Sequence, residues 1–105
     1  FKLVAHLPLY KELQGMGIDS GRVEIFQFCD ARVAYTMISH DIDFSAYLPC
    51  RITLIEDKDG QHWLVTLDLD VVIRTADLPP ELMEKAVMVR DTIREIMEAG
   101  ANGDL

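Results

Sequence analysis

The segment from Cys50 to Ile73 constrains this chain more than any other. Cys50–Glu56 is a run of strand-forming residues, and D-K-D-G at 57–60 follows it. Gly60 sits where a short hairpin loop needs a positive φ, which glycine reaches without steric cost. After the turn, Trp63, Val65, Leu67, Leu69, Val71 and Ile73 alternate with His62, Thr66, Asp68 and Asp70 among the intervening positions. Period-two alternation is the mark of a half-buried strand, and it fixes register, because a slip of one residue turns every apolar side chain to water. The segment therefore predicts a β-hairpin of Cys50–Glu56 with His62–Ile73, with a bend or break expected near Asp68–Asp70. A hairpin of this kind commits the chain to an antiparallel sheet that needs cover on one face.

The remaining elements supply the sheet and its cover. Phe1–Leu9 reads as a strand in which Phe1, Leu3 and Ala5 share a face, ended by Pro8. Tyr10–Gly17 reads as two helical turns, and Ile18–Arg22 as a loop. Val23–Cys29 reads as a strand with Val23, Ile25 and Cys29 on one face and Phe26 and Phe28 on the other. Apolar groups on both faces imply cover on both, helices on one and a subunit partner on the other. Asp30 is placed to cap a helix over Asp30–Ser39, with Val33, Ala34, Met37 and Ile38 on its buried side. His40–Pro49 is expected to be a loop whose Ile42, Phe44, Tyr47 and Leu48 pack onto the core. Thr75–Leu78 is a second loop. Pro79 and Pro80 then open a final helix that runs to about Ala99 and stops at Gly100. Its apolar stripe is Leu82, Met83, Ala86, Val89, Ile93, Ile96 and Met97. Together these elements predict an α+β fold of two layers, a mainly antiparallel sheet covered on one face by helices. The 105 residues form one domain, 1–105, and a chain that begins at Phe1 reads as a truncated or processed form.

Charge narrows the function classes. A net charge of −8 opposes phosphate backbones and anionic membrane surfaces, so no nucleic-acid partner is expected. No apolar run reaches the roughly 20 residues of a membrane-spanning helix, so no membrane insertion is expected either. His6, His40 and His62 are dispersed without metal-ligand spacing, and no metal site is assigned. Asp57 and Asp59 suit a hairpin turn better than a calcium loop, and Asp68 and Asp70 are expected to face water from one side of the strand. No triad order, phosphate loop or dinucleotide fingerprint is present, so no catalytic residue is assigned and a non-enzyme is expected.

Cys29 and Cys50 are the only two cysteines. Two thiols are too few for a disulfide framework, and they fit a reduced pair of small hydrophobes, a disulfide or redox pair, or part of a ligand or cofactor site. Cys29 stands just before a helix start, which favours a thiolate, although Asp30 opposes it. Cys50 follows Pro49 and precedes Arg51. The helix and loop between the two cysteines bring both to one end of neighbouring strands, and Cys29, Asp30, Cys50 and Arg51 form the candidate thiol or ligand site.

F-C-D-A at 28–31, L-P-C-R-I at 48–52 and E-D-K-D-G-Q-H-W-L at 56–64 resemble the family known as domain of unknown function 302. The resemblance spans the chain and is most specific at L-P-C-R-I. Asp30 and Ala31 stand where members have Asn and Pro. Members carry a further strand and helix before the point where this chain begins, which implies a sheet edge needing cover by a partner or a second copy. The family implies a two-layer α+β fold and no set activity or cofactor, and its members include both periplasmic (exported) and cytoplasmic proteins. Two functions follow as expectations. The first is a self-associating binding module, a homodimer offering a small ligand or protein partner a site near Cys29 and Cys50. The second is a thiol-based redox or sulfur-handling protein using that pair.

Overall fold

In a computed structural model, described here over residues 1–103, the hairpin lies in a four-stranded antiparallel sheet of order β1-β2-β3-β4. The strands are β1 (Lys2–Leu7), β2 (Val23–Cys29), β3 (Cys50–Glu56) and β4 (His62–Thr66). The helices are α1 (Leu9–Gly15), α2 (Ala31–His40), α3 (Leu69–Thr75) and α4 (Pro80–Ala101), with a 3-10 turn at Ile42–Ala46. The two-layer α+β architecture expected from the sequence is the one found.

Register sorts the side chains into two faces. Phe28 pairs with Cys50, Phe26 with Ile52 and Glu24 with Leu54, and Leu54 pairs in turn with Leu64. These residues lie on the face that α4 covers, where Ile93 packs against Cys50 and Ile52. The opposite face carries Val23, Ile25, Gln27 and Cys29, then Arg51, Thr53 and Ile55, then Trp63 and Val65. The two faces of β2 are as the alternation predicts. In β1 a bulge between Leu3 and Ala5 breaks the alternation, so that Leu3 pairs with Phe28 and Ala5 with Gln27. Leu3 and Ala5 therefore do not share a face, because one extra residue in a bulge reverses the parity beyond it.

The core has two parts. Cys50, Ile52 and Ile93 join the sheet to α4. Val33, Met37, Phe44 and Leu82 join α2 and the 3-10 turn to the start of α4. Leu48 and Val89 border both clusters and link them. Asp30 caps α2, accepting hydrogen bonds from the amides of Arg32 and Val33 at 3.0 and 3.2 Å. Of the loop residues expected to pack inward, Phe44 is buried, but Ile42 is 77% exposed and Tyr47 is also exposed. The 3-10 turn explains this, since consecutive side chains point around its axis and one turn buries only one of them.

The expected strand His62–Ile73 is corrected. It ends at Thr66, and Asp68 caps α3 by accepting the amide of Asp70 at 3.0 Å. Leu69, Val72 and Ala76 pack toward the helical layer at helical spacing. Asp70 does not simply face water. Its carboxylate accepts a hydrogen bond from Arg90 Nη1 at 2.9 Å and another from Arg94 Nη2, both from α4. The final helix also runs beyond its expected end. It passes through Gly100 to Ala101, and the left-handed residue that ends the turn is Gly103, at φ +74°. Gly100 is tolerated inside the helix because glycine weakens a helix without breaking it.

Three outcomes test these contacts. Ile93→Ala is expected to destabilise the fold by about 3 kcal/mol in denaturant unfolding, since Ile93 is the most buried member of the sheet–helix cluster. Asp68→Ala is expected to cost about 1 kcal/mol through loss of the α3 cap. The hydrogen bond from Arg90 is the main influence holding the Asp70 carboxyl below its ordinary value, with the charges of Arg94 and Arg90 adding to it. A lowered folded-state pKa gives stability that is present above the unfolded value and lost as pH falls through the folded one. Stability of the native chain is therefore expected to decline more steeply with acid below about pH 4 than that of Asp70→Asn, with unfolding followed from pH 6 to pH 2.

Candidate functional site

The four candidate residues of the L-P-C-R-I and F-C-D-A segments, Cys29, Asp30, Cys50 and Arg51, lie at one end of β2 and β3. The Phe28–Cys50 pairing places Cys29 and Cys50 diagonally across neighbouring strands. Strand alternation, however, sends their side chains to opposite faces. Cys50 points to the helical side and is buried among Ile52, Ile93 and Leu48. Cys29 is half-buried on the other face, level with Lys2 on β1 and diagonal to Arg51 on β3. Both thiols are free.

The two thiols differ in chemistry as well as in direction. Burial pushes the Cys50 thiol up to about 11, and the neighbouring Cys29 adds to the shift. At neutral pH Cys50 is therefore a neutral, weakly polar core group. It borders a small apolar cavity of about 50 Å3 whose walls include Val33, Met37, Phe44, Leu48 and Val72. That volume holds a water molecule or two and no larger ligand.

Asp30 is occupied by its cap. The amide of Val33 is the main influence lowering its carboxyl below the usual range, with the amide of Arg32 acting in the same direction. Arg51 is exposed, and among the described residues it forms no ion pair with a carboxylate. It rims an open cleft of about 400 Å3 with Tyr47, Pro49, Thr53, Val65 and Leu67. The structure thus brings the four candidate residues close in the chain's fold but divides them among a core position, a helix cap and an exposed face.

A larger feature lies elsewhere. Helix α4 covers only part of the sheet, and beside its C-terminal half runs a trough of about 910 Å3. Its walls are Phe26, Phe28, Ile52, Leu54, Leu64 and, from α4, Ile96 and Met97. At its rim stand Arg22, His62 and Glu98. A buried carboxylate braces the β1–β2 side of this region. Glu24, 6% exposed, receives Arg22 Nε at 2.5 Å and lies 3.1 Å from His6 Nε2, while the His6 ring stacks on Phe26 with centroids 4.6 Å apart. Burial raises the Glu24 carboxyl, but the bonds and charges of Arg22 and His6 outweigh it and hold the pKa below the ordinary glutamate value. The sequence signal for the trough was the presence of Phe26 and Phe28 opposite Ile25, together with an α4 stripe continuing through Ile96 and Met97. How much of the sheet the helix leaves bare is a matter of where it sits.

No group of three or more His, Cys, Asp or Glu residues is arranged to hold a metal ion among the described residues. Nor, among them, is any helix long and apolar enough to cross a membrane.

The fold and these sites define a small two-layer α+β protein with an antiparallel sheet, an apolar trough beside its long helix and two separated thiols. Residues 1–100 match the family model described as domain of unknown function DUF302, and the chain belongs to that family. A comparison with curated proteins found no match.

The unequal thiols make a direct test. In native protein at pH 7.5, N-ethylmaleimide is expected to label Cys29 and to spare Cys50 until denaturant is added. Peptide mass spectrometry reads the two sites separately, and fast labelling of Cys50 in the folded state contradicts its placement in the core.

Proposed function

We propose that this protein is a non-enzymatic binding module whose ligand is a small apolar molecule held in the trough between α4 and the sheet. The observation that carries the reading is the trough itself. Its volume lies in the range of ligand pockets, roughly 300–1,000 Å3, and its walls are hydrophobic with a few polar groups at the rim. Phe26 and Phe28 offer flat apolar area that loses little side-chain freedom when a ligand covers it. Arg22 and His62 provide a polar end for an acidic or hydrogen-bonding head. The titratable residues of the lining are Arg22, His62 and Glu98, all at its rim. They suit orientation of a ligand, since none of them is paired with a nucleophile there.

The thiol-based reading keeps one supporting fact, the proximity of Cys29 and Cys50 across the strand pair. Against it stand their opposite directions and the raised pKa of Cys50. Pairing them in a disulfide requires the end of β2 to twist from its register.

The binding reading is tested with 1-anilinonaphthalene-8-sulfonate, an apolar anion that fluoresces when shielded from water. Saturable binding at one site per chain is expected, with affinity lowered at least tenfold by Ile96→Glu and left unchanged by Cys29→Ser. Non-saturating binding, or an affinity indifferent to Ile96→Glu in a variant shown to be folded by circular dichroism, sinks the proposal.

A further inference from the structure

The face of the sheet away from α4 has a composition unlike the rest of the chain. Three cross-strand rows make it up. Ala5, Gln27 and Arg51 form the first, Leu7, Ile25, Thr53 and Val65 the second, and Val23, Ile55 and Trp63 the third. The face also carries Lys2 and Cys29 at the Arg51 end. The chain has 18 aspartates and glutamates, yet the paired rows of this face contain none of them, and the Asp57 carboxylate at their edge is bonded to the Trp63 indole. Trp63 is 53% exposed, Val65 52% and Leu7 39%. Single exposed apolar residues are ordinary, but a contiguous patch centred on a tryptophan marks an interaction surface.

The whole molecule shows the same incompleteness. Its accessible surface is 7270 Å2. A compact monomer of 11.9 kDa exposes about 5,900 Å2, so the excess is about 1,300 Å2. The radius of gyration is 15.6 Å, against about 13 Å for a compact chain of this length. Part of the excess belongs to the trough, and the open face supplies another part.

We infer that this face packs against the same face of a second copy, forming a two-fold symmetric dimer of stacked sheets. Three considerations select a second copy. The first is electrostatic. Two chains of charge −8 repel each other, and they meet at least cost through a face whose paired rows include Arg51 and no Asp or Glu. The second is complementarity under the two-fold. An axis lying in the face, across the strands at the Thr53 row, sets the Arg51 row of each copy over the Ile55–Trp63 row of the other. Arg51 of each copy then lies over Ile55 of the other, one strand from Trp63, so that a long guanidinium side chain reaches toward an indole whose Nε1 donates to Asp57 Oδ2 at 2.8 Å, a cation–π contact made twice. The third is area. Four strands about 4.8 Å apart and five to seven residues long give a face of about 400 Å2 in plan. Two copies therefore remove close to 1,000 Å2 from water once side-chain relief and rim are included, the lower bound for a specific interface. Aligned sheets stack about 10 Å apart with their strands near 30° to one another, which the twist of these short strands permits. The trough opens on the other side of the sheet, and the two features meet at the β4 edge, where Trp63 borders the trough as well.

Trp63 is the only tryptophan of the chain, so it reports on this interface directly. Sedimentation velocity on the full chain is expected to show a reversible monomer–dimer equilibrium, with Trp63 emission shifting to longer wavelength on dilution at the same midpoint. Val65→Lys and Leu7→Lys, both at solvent-exposed positions of edge strands, are each expected to raise the dissociation constant at least tenfold, as is Arg51→Glu. Met88→Lys, at an exposed position on α4, is expected to leave it unchanged. A chain that stays monomeric at millimolar concentration overturns the inference. So does a dimer that ignores both Val65→Lys and Leu7→Lys, or one whose dissociation leaves Trp63 emission unmoved. Loss of dye binding in Ile96→Glu with dimerisation intact separates the two sites.

Discussion

Everything in this structure depends on how α4 is seated on β3. Ile93 presses on Cys50 and Ile52, and among the described residues these three form the tightly buried link between the sheet and the helical layer. The position of α4 in turn places Val89 and Leu82, around which α2 and the 3-10 turn pack. It also places Arg90 and Arg94, whose guanidiniums hold Asp70 and so dock the first turn of α3. A charged pair with this exposure contributes little to stability by itself. Its effect here is geometric, since it fixes the short α3 against a helix about twenty residues further along the chain.

One helix cannot cover both surfaces of a four-stranded sheet, and α4 does not cover even one of them fully. From this follow the two surfaces that carry the functional reading. On the α4 side the bare remainder is an apolar trough walled by aromatic and aliphatic groups, suited to a small molecule. On the far side the paired rows contain no Asp or Glu and include the exposed Trp63, an arrangement suited to a second sheet. The same shortage of cover explains why the buried set is small for a chain half of whose residues are hydrophobic. Hydrophobic area left in water is the largest free-energy gain still open to the molecule.

The candidate cysteine site was partly legible before the structure. That Cys29 and Cys50 come to one end of neighbouring strands follows from a helix and loop that must return the chain to the sheet. Their opposite directions follow from pairing parity, because Cys50 pairs with Phe28 and not with Cys29. A shift of one residue in that register would place both thiols on the same face. No feature of the intervening twenty residues announces which register is chosen. It is set by which faces of β2 and β3 find Ile93. The trough was less legible still, since Phe26, Leu54 and Ile96 are far apart in sequence and meet only through the angle of α4.

The sequence alone determined the elements whose signals are local. Asp30 as a helix cap, the turn at D-K-D-G, the opposite faces of β2 and the stripe of α4 each rest on residues within one or two turns or strands. With the hairpin, these suffice for a two-layer α+β fold. Tertiary structure decided the segment after Thr66. Leu67, Leu69, Val71 and Ile73 satisfy a strand's period of two, while Leu69, Val72, Ile73 and Ala76 satisfy a helix's period of 3.6. An apolar run that fits both periods cannot choose between them by itself. The helix forms because Asp68 caps it and because Arg90 and Arg94 reach Asp70 from α4, a pairing that exists only once the chain has folded.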